Sequence, residues 1–497
     1  MIHYLLNRLS RVIASIRQLV TGGGLQARVL RGGALMGSSS MVEHGVRFIR
    51  NIILTRILLP EALGVMTIIL AVNAALESLT EVGIREAVVQ HRDAEQKTFL
   101  NAAWLFAAIR GAVLCAAGLI AAPLLASFYQ ITESRNLLML SFVAILFNGA
   151  ISTRAFVALK KMQYVRWVTI TQGAALGGVL ITIMLVFLLR DIRALIIGYL
   201  AESALRMILS FIVCPFKPGF AFDKTQTQEL FRFARGMAGV PFLTFMFLQA
   251  DIFVLGKLVS KHDLGLYGMA GSLAAAPAVL IAIFINPILM PAFAQVRDQT
   301  TRINNALIKA TRAMSLVGLP LCAWVIMFGA DIMNLTYGKT YAAAGSVLAI
   351  LFCATVLRTM ASPVPAIYLG IGKPALNRIF TAIRTVIILL IIYPAVRLFG
   401  LNGAAMAGGI AMTIAWVFQI SQMAHVTGLD VQRYGFSALS GVIGAALILG
   451  AGTIVHLTLE PSLLTLCGMG VFSVMVAIGG IALVMHDFKP VAEAVAA

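Results

Sequence analysis

Within the run "EHGVRFIRN", Glu43 to Asn51, an otherwise apolar stretch places Glu43, His44, Arg47 and Arg50 where a lipid-facing helix would carry none. Further ionisable residues interrupt later apolar stretches: Glu77, Glu81, Arg110, Glu202, Arg206, Asp251, Arg358 and Arg384. A charge at mid-bilayer costs at least about 2.5 kcal/mol unless it is paired or faces water, so these groups must meet one another or line a cavity. Glu202 and Arg206 stand one helical turn apart and read as a structural pair; Glu43 and Arg47 share the same spacing. Arg50 has no acid one turn away in its own helix. A guanidinium stays protonated and donates two parallel hydrogen bonds, which suits a phosphate. Glu77 and Glu81 read either as cavity groups or as bridges to Arg85, and Arg358 and Arg384 either as contacts for a lipid phosphate or as snorkelling side chains.

Other chemistries fail on spacing. "YGKT" (Tyr337 to Thr340) lacks the earlier glycine of a phosphate-binding loop, and "LGIGKP" (Leu369 to Pro374) has Pro where Ser or Thr must follow Lys. The seven His are scattered without metal-ligand spacing, so no metal site is expected. The five Cys form no CxxC pattern and read as small buried residues.

The elements that must position these charges are membrane helices. The chain has 497 residues, 60% of them hydrophobic and only 12% charged, with a mean hydropathy of +0.94. Spans of about 20 apolar residues recur about fourteen times, among them 33–58, 234–258, 313–333, 342–370, 377–399 and 436–456. The expected fold is an all-α polytopic membrane protein. Its net charge of +18 does not point to nucleic acid. Roughly three times as many Lys and Arg fall in the breaks on the side of the N-terminus as on the other, a positive-inside pattern with both termini cytoplasmic. Residues 1–31 read as an amphipathic cytoplasmic extension, with Leu5, Leu9, Val12 and Ile16 on one stripe and Arg8 and Arg11 off it.

The helices divide into two pseudo-repeated six-helix bundles plus two more. "TRILLPEALG" (Thr55 to Gly64) and "GKLVSKHDLG" (Gly256 to Gly265) share a layout at a shift of 201 residues. Arg92-Asp93 and Arg297-Asp298, and Gly198 and Gly408, follow at slightly larger shifts. The expected organisation is a first half over 32–215, a cytoplasmic linker over 216–233, a second half over 234–425, and helices 13 and 14 with the tail over 426–497. Repeats of this kind enclose a site and rock around it. The same shift carries Arg50 onto Asp251. These two either face a common cavity, one for an anionic head group and the other for a coupling cation, or lock the halves together.

At "FLQADIFVLGKLVSKHDLGLYGMAGSLA" (Phe247 to Ala274), with Asp251, Gly256, Lys257, Leu264, Gly265 and Tyr267 in place, the chain resembles the polysaccharide-transporter family of bacterial oligosaccharide flippases, in the superfamily of MATE-like exporters. "NPILMPAFAQVRD" and "TEVGIREAVVQHRD" extend the likeness. The resemblance implies a flippase of the inner membrane, moving undecaprenyl-diphosphate-linked oligosaccharide outward for exopolysaccharide, capsule or O-antigen assembly. It implies basic residues in the cavity for the diphosphate, a role that Arg47 and Arg50 fit by chemistry; Glu43, His44, Asp251, Arg110, Arg358 and Arg384, as charges embedded in apolar spans, read as cavity or gating residues. No cofactor is expected beyond a coupling cation, H+ or Na+; a polysaccharide polymerase and co-polymerase are the expected partners, and no nucleic acid. A cation-coupled multidrug exporter is the alternative, disfavoured by the basic first span, and a membrane polymerase enzyme is disfavoured by the short outer loops.

Overall fold

In hydrocarbon no water satisfies a backbone amide, so a chain this apolar must close its hydrogen bonds within helices or a barrel. The computed structural model describes residues 25–79, 84–90, 95–219, 240–276, 278, 300–458 and 463–486. Every regular element among them is helical. In chain order they are α1 (Leu25–Ile57), α2 (Pro60–Leu79), α3 (Ile84–Gln90), α4 (Lys97–Phe128), α5 (Arg135–Ser141), α6 (Val143–Gly149), α7 (Arg154–Lys160), α8 (Tyr164–Leu189) and α9 (Arg193–Val213). There follow α10 (Val240–Leu258), α11 (Lys261–Ala274), α12 (Thr300–Tyr337), α13 (Gly345–Ala361), α14 (Pro363–Gly370), α15 (Pro374–Thr427), α16 (Val431–Ser437), α17 (Leu439–Thr458) and α18 (Leu463–His486).

Eight helical stretches among the described residues are long and apolar enough to cross a membrane, or nine if Thr132–Gly149 and Arg154–Lys160, bent by 58°, form one broken span. The fourteen spans expected from the sequence include stretches that lie partly outside the described residues. The apolar stretch Ala375–Thr427 is 53 residues long, about 80 Å of helix against a hydrocarbon core of about 30 Å. It breaks at Gly400, whose φ of 56° a side chain would resist, so it serves as two passes. Helix α1 is long enough, but its own Glu43, Arg47 and Arg50 dilute its hydropathy. Proposed features on residues 1–24, Glu81, Arg92-Asp93, most of the linker and Arg297-Asp298 lie outside the described residues.

Helix α8 packs on both α1 and α9, and α12 packs on α13, α17 and α18. The two halves meet where α2 crosses α11 and α10. At that crossing a Cβ on Gly64 would lie 2.0 Å from the Lys261 carbonyl oxygen, and one on Gly265 would lie 2.0 Å from the Pro60 carbonyl oxygen. Gly64 and Gly265, like Pro60 and Lys261, are 201 residues apart, so the crossing pairs positions that the sequence shift of 201 relates. Only glycine allows the backbones this close.

Candidate functional site: the embedded charges

The one-turn spacings produce the contacts expected of them, and then one that joins them. On α1, Arg47 Nε donates to Glu43 Oε1 at 3.0 Å. On α9, Arg206 Nη2 donates to Glu202 Oε1 at 2.9 Å. Arg47 Nη2 also reaches Glu202 Oε1, at 2.7 Å, across the gap between the two helices. The four side chains thus form one cluster of two acids and two bases, with Glu202 at its centre and only 12% exposed. Gly178 of α8 makes the room: a Cβ there would sit 2.5 Å from Glu202 Cβ. His44 is exposed and takes no part.

Arg50, one turn further along α1, is half-buried and makes no ion pair among the described residues. Its Nε and Nη2 both donate to Asn51 Oδ1, at 3.3 and 3.0 Å. Its neighbour from the second half is Tyr337 at the end of α12, which also contacts the Phe48 ring. Arg50 and Asp251 each stand about two turns from the end of their helices, yet they do not bond. Asp251 is taken instead by Tyr267 of α11, whose hydroxyl donates to Oδ2 at 2.5 Å, while its Oδ1 accepts from the Ile252 amide. The lock between Arg50 and Asp251 that the repeat allowed is therefore absent in this conformation, because each partner is already engaged within its own half.

The second half holds two more arginines in a different setting. Arg358 of α13 lines a cavity of about 90 Å³ with Asp251, Tyr267 and Thr355, room for several waters but not for a sugar phosphate. Arg384 of α15 lies within electrostatic reach of Arg358. Its guanidinium sits 4.6 Å from the Phe247 ring and 5.4 Å from the Phe380 ring. One Nη2 hydrogen bond at 3.4 Å to Thr244 is weak, and the buried Nε has no partner. Neither arginine forms an ion pair among the described residues. Arg110 on α4 is apart from both groups: it donates to the Glu77 carbonyl at 3.0 Å, and the Glu77 carboxylate accepts from Asn148.

Sequence reasoning missed Asn51, Tyr337, Asn148, Thr244 and Phe247. Tyr267 alone had a signal, as the Tyr of the Leu-Gly-Xaa-Tyr run, although nothing tied it to Asp251.

Residues 53–346, more than half of the chain, match the family model described as polysaccharide biosynthesis protein. The chain belongs to that family. It is 20% identical over 396 residues to the lipopolysaccharide biosynthesis protein WzxC of Escherichia coli (strain K12), covering 79% of this chain and 78% of the relative. It is 25% identical over 346 residues to the succinoglycan biosynthesis transport protein ExoT of Rhizobium meliloti (strain 1021), covering 69% of each. Among solved structures, an inward closed conformation of the lipid II flippase MurJ aligns over 92% of this chain and all of the other, with a TM-score of 0.76 at 12% identity. That identity establishes a shared fold, that of a polytopic helical membrane protein.

Proposed function

We propose that the protein flips an undecaprenyl-diphosphate-linked oligosaccharide from the cytoplasmic to the periplasmic leaflet by alternating access. The observation that carries this reading is a set of arginines, Arg50, Arg358 and Arg384, embedded in the bundle with no carboxylate bonded to them among the described residues. Ordinary structural charges in a membrane protein are neutralised, as Arg47 and Arg206 are by Glu43 and Glu202. Cations left without acids are suited to an anion that comes and goes, and a diphosphate offers both charge and bidentate geometry.

In this reading the first half, the second half and α16–α18 are the moving and bracing units, with both termini in the cytoplasm and the chain in the inner membrane. Arg50 meets the diphosphate, and Arg47 joins it when opening loosens the bridge to Glu202, which Arg206 can then hold alone. Glu43, His44 and Arg110 belong to the cavity wall. Asp251 is the group that takes H+ or Na+, since it shares its cavity with Arg358 and its bond to Tyr267 can be exchanged for a cation. The names of ExoT, a transport protein, and of the flippase MurJ support transport rather than catalysis. A polymerase and co-polymerase receive the product.

The test is a strain lacking the gene. Diphosphate-linked oligosaccharide should accumulate facing the cytoplasm while surface polymer disappears. Normal polymer with normal lipid pools contradicts the reading.

A further inference from the structure

A second basic site lies away from the embedded charges, at the start of α12 and α16. A cleft of about 560 Å³ there is walled on one side by Asn305, Ile308, Lys309 and Arg312, spaced along a single face of α12. Its other wall runs through Arg433, Phe436, Leu439 and Ile443 as α16 leads into α17. Among the lining residues three are cationic and none is acidic. The order along the second wall is that of an amphiphile: the cation comes first and the apolar side chains follow. The apolar spans read from the sequence begin at 313 and 436. Lys309, Arg312 and Arg433 thus fall just outside the hydrocarbon, while Leu439 and Ile443, about half exposed, fall inside it.

The walls are fixed to each other beneath the cleft. Thr311 donates to the buried Tyr434 hydroxyl at 3.2 Å. Asn304 donates to the Thr427 carbonyl at 2.9 Å, and Thr427 returns a hydrogen bond to Asn304 Oδ1 at 2.7 Å. Gly441 lets α17 close on α12, since a Cβ there would lie 2.4 Å from the Ser315 carbonyl oxygen. A preformed cleft costs a ligand less ordering than a mobile surface does.

We propose that this cleft is a binding site for an anionic phospholipid of the surrounding leaflet. Lys309, Arg312 and Arg433 hold the headgroup phosphate, and Phe436, Leu439 and Ile443 lie along an acyl chain. Charge complementarity selects the class: zwitterionic lipid brings no net charge to three cations, whereas an anionic headgroup gains from each of them. The cleft shares no lining residue with the cavity of Asp251 and Arg358, which favours bulk phospholipid over the transported molecule as its occupant.

The experiment is native mass spectrometry of the purified full-length protein titrated with palmitoyl-oleoyl-phosphatidylglycerol or palmitoyl-oleoyl-phosphatidylcholine. The wild type should bind phosphatidylglycerol preferentially. Each cation removed should weaken that binding about five-fold, so Lys309→Gln/Arg312→Gln/Arg433→Gln should lose about a hundredfold. Arg433 is exposed, so Arg433→Gln alone preserves the test if the triple variant does not fold. The control Lys160→Gln/Arg166→Gln/Lys373→Gln removes as many cations elsewhere and should bind as the wild type does. Equal affinity for the two lipids, or equal losses in the two triple variants, overturns the proposal. So does displacement of phosphatidylglycerol by stoichiometric farnesyl diphosphate, which would assign the cleft to the prenyl diphosphate carrier.

Discussion

The joint between α1 and α9 and the region around α13 and α15 treat their embedded arginines differently. In the first half, Arg47 and Arg206 share Glu202, and Arg47 also has Glu43. Around α13 and α15, Arg358 and Arg384 have no bonded acid among the described residues and lean on a cavity and two aromatic rings. Two desolvated ions repay their burial only when paired and hydrogen-bonded. A neutral cluster therefore behaves as a structural joint between α1 and α9. An unneutralised pair is maintained against its own cost, which is the physical mark of a site that works on something else.

The largest effect should come from breaking the joint. Glu202→Gln takes the acid from Arg206, leaves Arg47 with Glu43 alone, and should destabilise the protein by about 3 kcal/mol, read as a fall in the thermal unfolding midpoint in detergent and in recovered monodisperse protein. Arg358→Gln with Arg384→Gln should do the reverse. Its unfolding midpoint should match or exceed the wild type, while transport in proteoliposomes falls by at least about ten-fold, the equivalent of one charge-assisted contact. If the double variant instead unfolds while Glu202→Gln remains stable, the contrast between the two regions is inverted.

Gly64→Val and Gly265→Val sharpen the comparison from the side of symmetry. Each would push apart the same crossing of α2 and α11, so both should raise the labelling rate of a cysteine placed at Tyr267 by a membrane-impermeant thiol reagent, and to a similar extent. Unequal effects would mean that the 201-residue repeat is not carried into the contact. The smallest change is Tyr267→Phe, which removes one hydrogen bond from Asp251 and should cost about 1–2 kcal/mol in thermal stability. Transport in that variant should shift its dependence on H+ or Na+ concentration, and an unchanged dependence would remove Asp251 from coupling.

Class and local pairing were legible in the sequence because both are one-dimensional. Hydropathy requires membrane helices, and a spacing of four residues places Glu43 with Arg47 and Glu202 with Arg206 on common faces. The meeting of Arg47 with Glu202, 155 residues away, was not legible. It depends on how α1 and α9 are rotated on α8, which is set by packing at positions such as Gly178. For the same reason the repeat placed Arg50 and Asp251 at equivalent depths without saying that Asn51 and Tyr267 would claim them. Arg384 beside Phe247 is a further case, since α10 and α15 are distant in sequence and aromatic rings carry no positional code. The break between the spans 377–399 and 401–424 was legible, because it falls at Gly400, where α15 leaves helical geometry.

The central claim is that embedded arginines recognise a diphosphate in transit. It is tested most directly by reconstituting the protein in liposomes and measuring translocation of one oligosaccharide carried either on undecaprenyl diphosphate or on an uncharged polyprenyl chain, with the wild type and with Arg50→Gln/Arg358→Gln/Arg384→Gln. The account predicts rapid movement of the diphosphate-linked form alone, lost in the triple variant. Equal rates for the charged and uncharged carriers, or a triple variant that transports as the wild type does, would contradict it.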